Sequence, residues 1–228
     1  TFFLGLVFRF TQGIMAEEVL SKEAKSCLAL LGQSALLKDA YLAGGTALAL
    51  RLGHRLSVDF DFFTRKKFNE KILIQKIARL PIGFQLERAA WGTILGYLGK
   101  TRFSLFFYDY PFLAKPEMFL NIKVAEVKDI APMKLQAIAD RGTKRDFIDL
   151  YFILAIERIC SLREVLDLYG EKFKVLRQNQ LHILKSLNYF EDAERDQMPK
   201  MLKPVSWTEI KKFFEREVKA VSQKLLTD

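Results

Sequence analysis

Residues 41–64 read YLAGGTALALRLGHRLSVDFDFFT, and this stretch decides the fold. The run Ala40–Ala43 predicts a short strand, and the Gly44–Gly45 pair breaks it. Thr46 is then placed to cap a helix that runs through ALALRL to about Gly53. From Ser57 to Phe63 the residues alternate. Val58, Phe60 and Phe62 fall on one face, and Ser57, Asp59, Asp61 and Phe63 on the other. The reading is a strand, a glycine turn and a helix, followed by a strand with one acidic face.

Upstream, Val19, Leu20, Ala24, Cys27, Leu28 and Leu31 recur at helical spacing and predict a leading amphipathic helix between Ala16 and Leu37. Downstream, residues 69–79 predict another helix. FQLERAAW, GTILGYLG and TRFSLFFYDY then read as three strands of an antiparallel meander, and FLNIKVAEV as a further extended piece. The composition changes around Asp129 and Pro132. Beyond it MKLQAIADRG, RDFIDLYFILAIER, LREVLDLYGE, QNQLHILKSL and WTEIKKFFEREVKAVSQKLL all carry helical apolar spacing, punctuated by Gly142, Gly170 and Pro204. The class is α+β: a mixed or antiparallel sheet flanked by helices in residues 15–128, then a helical bundle in 129–228. Without a repeat or a low-complexity linker, the two halves are expected to share one core. Residues 1–14 fit two descriptions, a stretch preceding the native start at Met15 or a short docked strand.

The chain has 228 residues, half of them apolar, with 36 basic and 27 acidic side chains and a net charge of +9. That apolar fraction excludes a disordered chain. With 12 glycines, 6 prolines and 2 cysteines, collagen-like and disulfide-scaffold classes are excluded as well. Cys27 and Cys160 form no CxxC pair, which fits a reducing, cytoplasmic setting and offers no zinc site. The apolar start TFFLGLVFRF is too short to span a bilayer, so no membrane partner is expected. The positive balance permits binding to polyanions without choosing among them.

Asp59 and Asp61 are the sharpest chemical feature. Two residues apart in a strand, they project from one face about 7 Å apart, a spacing that suits a shared divalent cation. Mg²⁺ would relieve their repulsion while binding substrate phosphates. A solvated acidic strand face is the plain alternative. Gly44 and Gly45 leave the backbone open to close approach, and the helix after them aims its first amides at any anion bound there. No GK[ST] follows, so this is not a Walker loop.

YLAGGTALALRLGHRLSVDFDFFT resembles the signature of the DNA polymerase β type nucleotidyltransferases, in particular the AbiEii/AbiGii-type toxin family. KDIAPMKLQAIADRGTKRDFIDLYFIL resembles that family's later motifs. The resemblance implies a nucleotidyltransferase-like fold and a Mg²⁺-dependent enzyme that moves a nucleotidyl group from a nucleoside triphosphate (NTP) to an acceptor, RNA such as a tRNA end. It also implies a toxin opposed by a separately encoded antitoxin. On it, Gly44, Gly45 and Thr46 would hold the phosphates, Asp59 and Asp61 the metal, Lys134 the triphosphate, and Asp146 would complete the pocket. Lys134 and Arg141, seven apart, share a helix face, and Arg55 is a third basic candidate.

The family pattern often places a third carboxylate on a later strand, and Ser104 stands there, with Glu87 and Asp109 nearby in sequence; the alternatives are a catalytically silent nucleotide- or RNA-binding or regulatory module, or a nucleotidyltransferase that modifies protein. Plain readings remain beside the functional ones: Lys134 as a surface lysine, Thr143 and Asp146 as a capping pair, Arg145 and Asp149 as a helical i,i+4 ion pair. His54 and His182 are assigned no role. The KFK run at 172–174 and the lysines at 211–212 could contact a polynucleotide, or could be solvated helix faces.

Overall fold

The computed structural model describes residues 15–175 and 181–225. The expected N-terminal extension, 1–14, lies outside the described residues. The strands are β1 (Ala40–Ala43), β2 (Phe60–Thr64), β3 (Phe84–Ala90), β4 (Thr93–Leu98), β5 (Thr101–Phe107), β6 (Glu117–Phe119) and β7 (Ile122–Val124), in one sheet of order β3-β4-β5-β2-β1-β7-β6. β1 pairs antiparallel with β2 and parallel with β7, and β2 runs parallel to β5. β3, β4 and β5 form the expected meander. The mixed sheet of an α+β fold is therefore present. The piece FLNIKVAEV proves to be half of a hairpin. Leu120 and Asn121 take positive φ values of 49° and 61° and turn β6 back onto β7.

The helices are α1 (Lys22–Ser34), α2 (Gly44–Leu52), α3 (Glu70–Ile77), α4 (Val127–Asp140), α5 (Lys144–Tyr151), α6 (Leu162–Phe173), α7 (Leu181–Ser186), α8 (Glu191–Arg195) and α9 (Trp207–Leu225). α1 starts later than its apolar spacing suggests. Ser21 accepts the Ala24 amide at 3.1 Å and caps it, while Glu17–Val19 form a separate 3-10 turn. α4 begins at Val127 and carries Pro132 within it. α5 continues into a π-helical turn, Phe152–Ile156. No helix among the described residues is long and apolar enough to cross a membrane.

Buried residues from both halves form one cluster, from Leu28 and Phe62 to Phe147 and Phe214. The central strands have unlike faces. Phe60, Phe62, Phe103 and Leu105 are buried on one, and Asp61 and Ser104 sit side by side on the other. α2 packs against β1, β2, α4 and α5, so its first turn lies where the sheet meets the helical half.

Candidate active site

The turn between β1 and α2 needs glycine twice, for different reasons. Gly44 has φ 65°, and a Cβ there would stand 2.9 Å from Asp61 Oδ2. At Gly45 the place of a side chain is taken by the Arg55 guanidinium. Thr46 does not cap α2. Ala43 holds the cap position, and Thr46 is buried inside the first turn. Its hydroxyl lies 2.7 Å from Ser57 Oγ and donates to the Asp59 carbonyl.

That tie explains a second departure from the alternation. β2 begins only at Phe60, and Val58 is 51% exposed where a buried face was expected. Thr46 holds Ser57 and Asp59 toward α2, while Arg55 bridges to Met201 and the Leu56 amide donates to the Lys200 carbonyl. The segment leaves the sheet because these partners outcompete strand pairing.

Asp59 and Asp61 border one cavity of about 240 Å³ together with Gly45, Thr46, Arg55, Lys134, Arg141 and Asp146. Gly44 is not among its lining residues and stands against Asp61 instead. Burial pushes the Asp61 carboxyl above its ordinary value against the pull of Lys134, and the charge of Asp59 adds to the rise. Ser104 pairs with Asp61 in the β2–β5 register, and its hydroxyl favours the ionised carboxylate there. Neither alternative acid reaches this point. Asp109 lies five residues past Ser104, 64% exposed and 3.5 Å from Arg65. Glu87 lies at the β3 bulge, three strand spacings or about 14 Å from Asp61 across the sheet.

The opposite wall comes from α4 and α5. Lys134 Nζ donates to Asp146 Oδ1 at 2.9 Å and lies 2.6 Å from Asp149 Oδ2, so Lys134 is a buried ion, not a surface lysine. Burial works against its charge, yet the two aspartates outweigh it and raise its pKa. Asp146 also accepts from Arg141 Nε at 3.0 Å and from the Thr143 hydroxyl at 2.6 Å. Burial would raise this carboxyl, but Lys134, Arg141 and Thr143 bring it down to about 2. The capping reading fails, since the Thr143 hydroxyl serves Asp146 and accepts no backbone amide.

Asp149 is the hub behind this wall. Arg55 grips it through Nε at 2.7 Å and Nη2 at 2.9 Å, and His54 Nε2 lies 2.8 Å from its Oδ1. Burial opposes ionisation, but Arg55 and Lys134 hold the carboxyl well below its usual range. Burial also lowers the His54 pKa, which leaves the imidazole neutral as a support for Asp149. Arg145 does not pair with Asp149 as i,i+4 spacing suggests. Its Nη1 reaches across the cavity to Asp59 Oδ2 at 3.4 Å.

A family model described as "Nucleotidyl transferase AbiEii toxin, Type IV TA system" matches residues 27–87 and 104–226. The chain belongs to the AbiEii nucleotidyltransferase toxin family. An uncharacterised protein of Aquifex aeolicus (strain VF5) is 40% identical over 209 residues, which cover 88% of this chain and 96% of that one. Two solved structures are similar in fold. JHP933 from Helicobacter pylori is 18% identical with a TM-score of 0.51, covering 91% of this chain and 95% of its own. MenT4, a nucleotidyltransferase toxin from Mycobacterium tuberculosis H37Rv, is 16% identical with a TM-score of 0.51, covering 87% and 84%.

This AbiEii chain is thus a nucleotidyl-transferring enzyme with a toxin role, and its cavity has the chemistry such a reaction needs. Arg102, Arg141, Arg145 and Lys134 line it against Asp59 and Asp61. Sequence reasoning passed over Arg102 and gave Arg145 only a local partner, although Arg102 shares the Ser104 face at strand spacing. Asp149, which the sequence offers as a partner of Arg145, is three residues from Asp146 and so shares its helix face. Of the basic runs, Lys172 is fully buried against Asp129 and Lys211 is 2.5 Å from Glu194, so neither offers a free phosphate contact. The acid pair suits Mg²⁺, which binds through one or two carboxylates plus substrate phosphates. Among the described residues no group of three or more acids, histidines or cysteines could hold a metal alone.

Proposed function

We propose that the chain transfers a nucleotidyl group from an NTP to a hydroxyl of an RNA acceptor such as a tRNA end, with Asp59 and Asp61 holding Mg²⁺. The observation that carries this reading is the single cavity in which those two acids face Lys134, Arg141, Arg145 and Arg102. In the reaction the acceptor hydroxyl gives its proton to solvent and its oxygen bonds to the α-phosphorus, the α–β bridging P–O bond breaks, and pyrophosphate leaves with the bonding electrons. Charge spreads over phosphate oxygens throughout, so positioning and electrostatic stabilisation supply most of the catalysis. Bound Mg²⁺ would neutralise that charge and orient the reacting oxygens.

The protein's own groups divide the rest. Gly45, Thr46 and the first amides of α2 receive phosphate oxygens. An ammonium has three protons, and Lys134 directs two at Asp146 and Asp149, which leaves the third for the triphosphate. Asp146, ionised far below neutral pH, orients Lys134 and Arg141. Arg55 contributes chiefly by fixing Asp149. The buried free thiols Cys27 and Cys160 fit a cytoplasmic setting, and a separately encoded antitoxin completes the system.

The test incubates purified protein with each labelled NTP, Mg²⁺ and total tRNA, beside Asp59→Ala and Lys134→Ala. Label on RNA that both variants lose is the expected result. Equal transfer by wild type and Asp59→Ala overturns the site, and label on protein overturns the acceptor.

A further inference from the structure

We propose that the cavity-side face of the β3–β4–β5 meander is the platform on which the single-stranded end of the acceptor RNA lies. This rests on the acceptor reading above and adds where and how that acceptor is held. The strand register places two rows on this face. Gln85, Tyr97 and Arg102 pair across the three strands in one, and Arg88, Leu95 and Ser104 in the next, which continues to Asp61 on β2. Leu95, Arg102 and Ser104 also line the cavity, so the platform and the acid pair share one continuous surface.

No helix is needed to explain the other side chains of these rows, because they are open. Tyr97 is 37% exposed, and Gln85, Arg88 and Arg102 are exposed as well. α3 lies against the opposite face, where its Ile74 and Ala89 of β3 border one crevice. Neither Arg88 nor Arg102 enters an ion pair among the described residues. A flat sheet face with an exposed aromatic ring between two unpaired guanidinium groups is the chemistry that binds single-stranded nucleic acid. Bases stack on the ring, and the arginines meet phosphates.

Geometry gives this face its direction. The cavity is closed on the α4–α5 side by the Lys134–Asp146–Asp149 network, whereas along the sheet the row opens over about 14 Å, from a buried Ser104 beside Asp61, through a half-buried Leu95, to an exposed Arg88. An RNA end laid along it presents its terminal hydroxyl at the acid pair while its preceding nucleotides pass over Tyr97 and Arg88. The two segments of the family match leave out residues 88–103, the part that carries Arg88, Tyr97 and Arg102.

The test uses the full chain with a fluorescent single-stranded oligoribonucleotide bearing a free 3′ hydroxyl, and with the same strand in a blunt duplex. Binding is read by anisotropy, and transfer by the Michaelis constants for RNA and for NTP. Tyr97→Ala is expected to weaken single-strand binding about tenfold, with Tyr97→Phe close to wild type. Arg88→Gln is expected to lower the slope of log affinity against log salt by about 0.7, one phosphate contact on a single strand. The constant for NTP stays unchanged in all three, whose exposed positions leave the melting temperature unmoved. If wild type labels RNA but these variants bind it as tightly, or if duplex binds as well as single strand, the platform is wrong and the acceptor reading stands. If wild type labels only protein, both fall.

Discussion

Helix α4 carries one partner of each of two buried lysine–aspartate clusters, and the second of them borders the cavity of the acid pair. In the first, Asp129 meets Lys172 at 2.8 Å, both fully buried. Asp129 also accepts the Leu113 and Ala114 amides, and Lys172 donates to the Pro111 carbonyl, so the cluster fastens the loop after β5 to α4 and α6. In the second, five residues along, Lys134 meets Asp146 and Asp149 beside arginines whose side chains are 54% and 63% exposed, Arg145 and Arg141. The first cluster is shut inside the fold, with Lys172 between Asp129, the Pro111 carbonyl and the Tyr108 ring 6.0 Å away. The second is a braced wall whose outer groups face two further acids across open space. Burial of an ion pair is therefore no mark of catalysis. What marks the site is charge held in place yet left facing a cavity.

The comparison breaks hardest at the hubs. Removing one partner of a buried pair leaves a bare charge, so Asp149→Ala and Asp129→Ala should each lower stability by about 3–5 kcal/mol in denaturant titrations. They differ in activity. Per folded molecule, Asp129→Ala should transfer nucleotide at the wild-type rate, while Asp149→Ala frees Lys134 and Arg55 and loses it. Equal activity in the two variants would erase the distinction. Asp59→Ala inverts the pattern: at least a hundredfold loss of transfer, about 2.7 kcal/mol of barrier, with stability changed by at most about 1 kcal/mol. Its ion pair with Arg145 is partly exposed.

Much of this fold could be read from local pattern. The Gly44–Gly45 break and the alternation through Phe60 and Phe62 located β1, α2 and β2, because those residues follow the period of the element they occupy. Features set by distant partners could not be read. Val58 is exposed because Thr46 draws Asp59 out of the sheet, and no spacing within residues 57–63 reveals that. Arg145 has a helical partner in sequence and a different one across the cavity, 86 positions away. Lys172, in a run that looks solvated, is buried by the loop near Pro111. α8 is five residues long and too short to show a period. The convergence of Asp59, Asp61, Lys134 and Asp146 came from resemblance to a family, since each alone has an ordinary structural explanation.

The two acid walls should also respond to pH in opposite directions, and this is the finest test of the contrast. Asp146 has a depressed carboxyl, at about 2, so the unfolded chain binds its proton first as pH falls. Its contribution, about 2 kcal/mol, is complete above about pH 4 and is lost as pH drops toward 2. Asp61 is raised, by burial first and then by Asp59. Here the native state keeps its proton longer than the unfolded chain does, so stability falls as pH rises from about 4 through the folded-state value. In metal-free buffer at pH 7 Asp61→Asn should therefore melt slightly above wild type. Mg²⁺ relieves the same repulsion, so adding it should raise the wild-type melting temperature and leave that of Asp61→Asn nearly unchanged. Equal Mg²⁺ responses in the two proteins would place the cation elsewhere. A lower melting point for Asp61→Asn would mean that the carboxylate is a structural partner, like Asp129, and that the two clusters differ less than their geometry says.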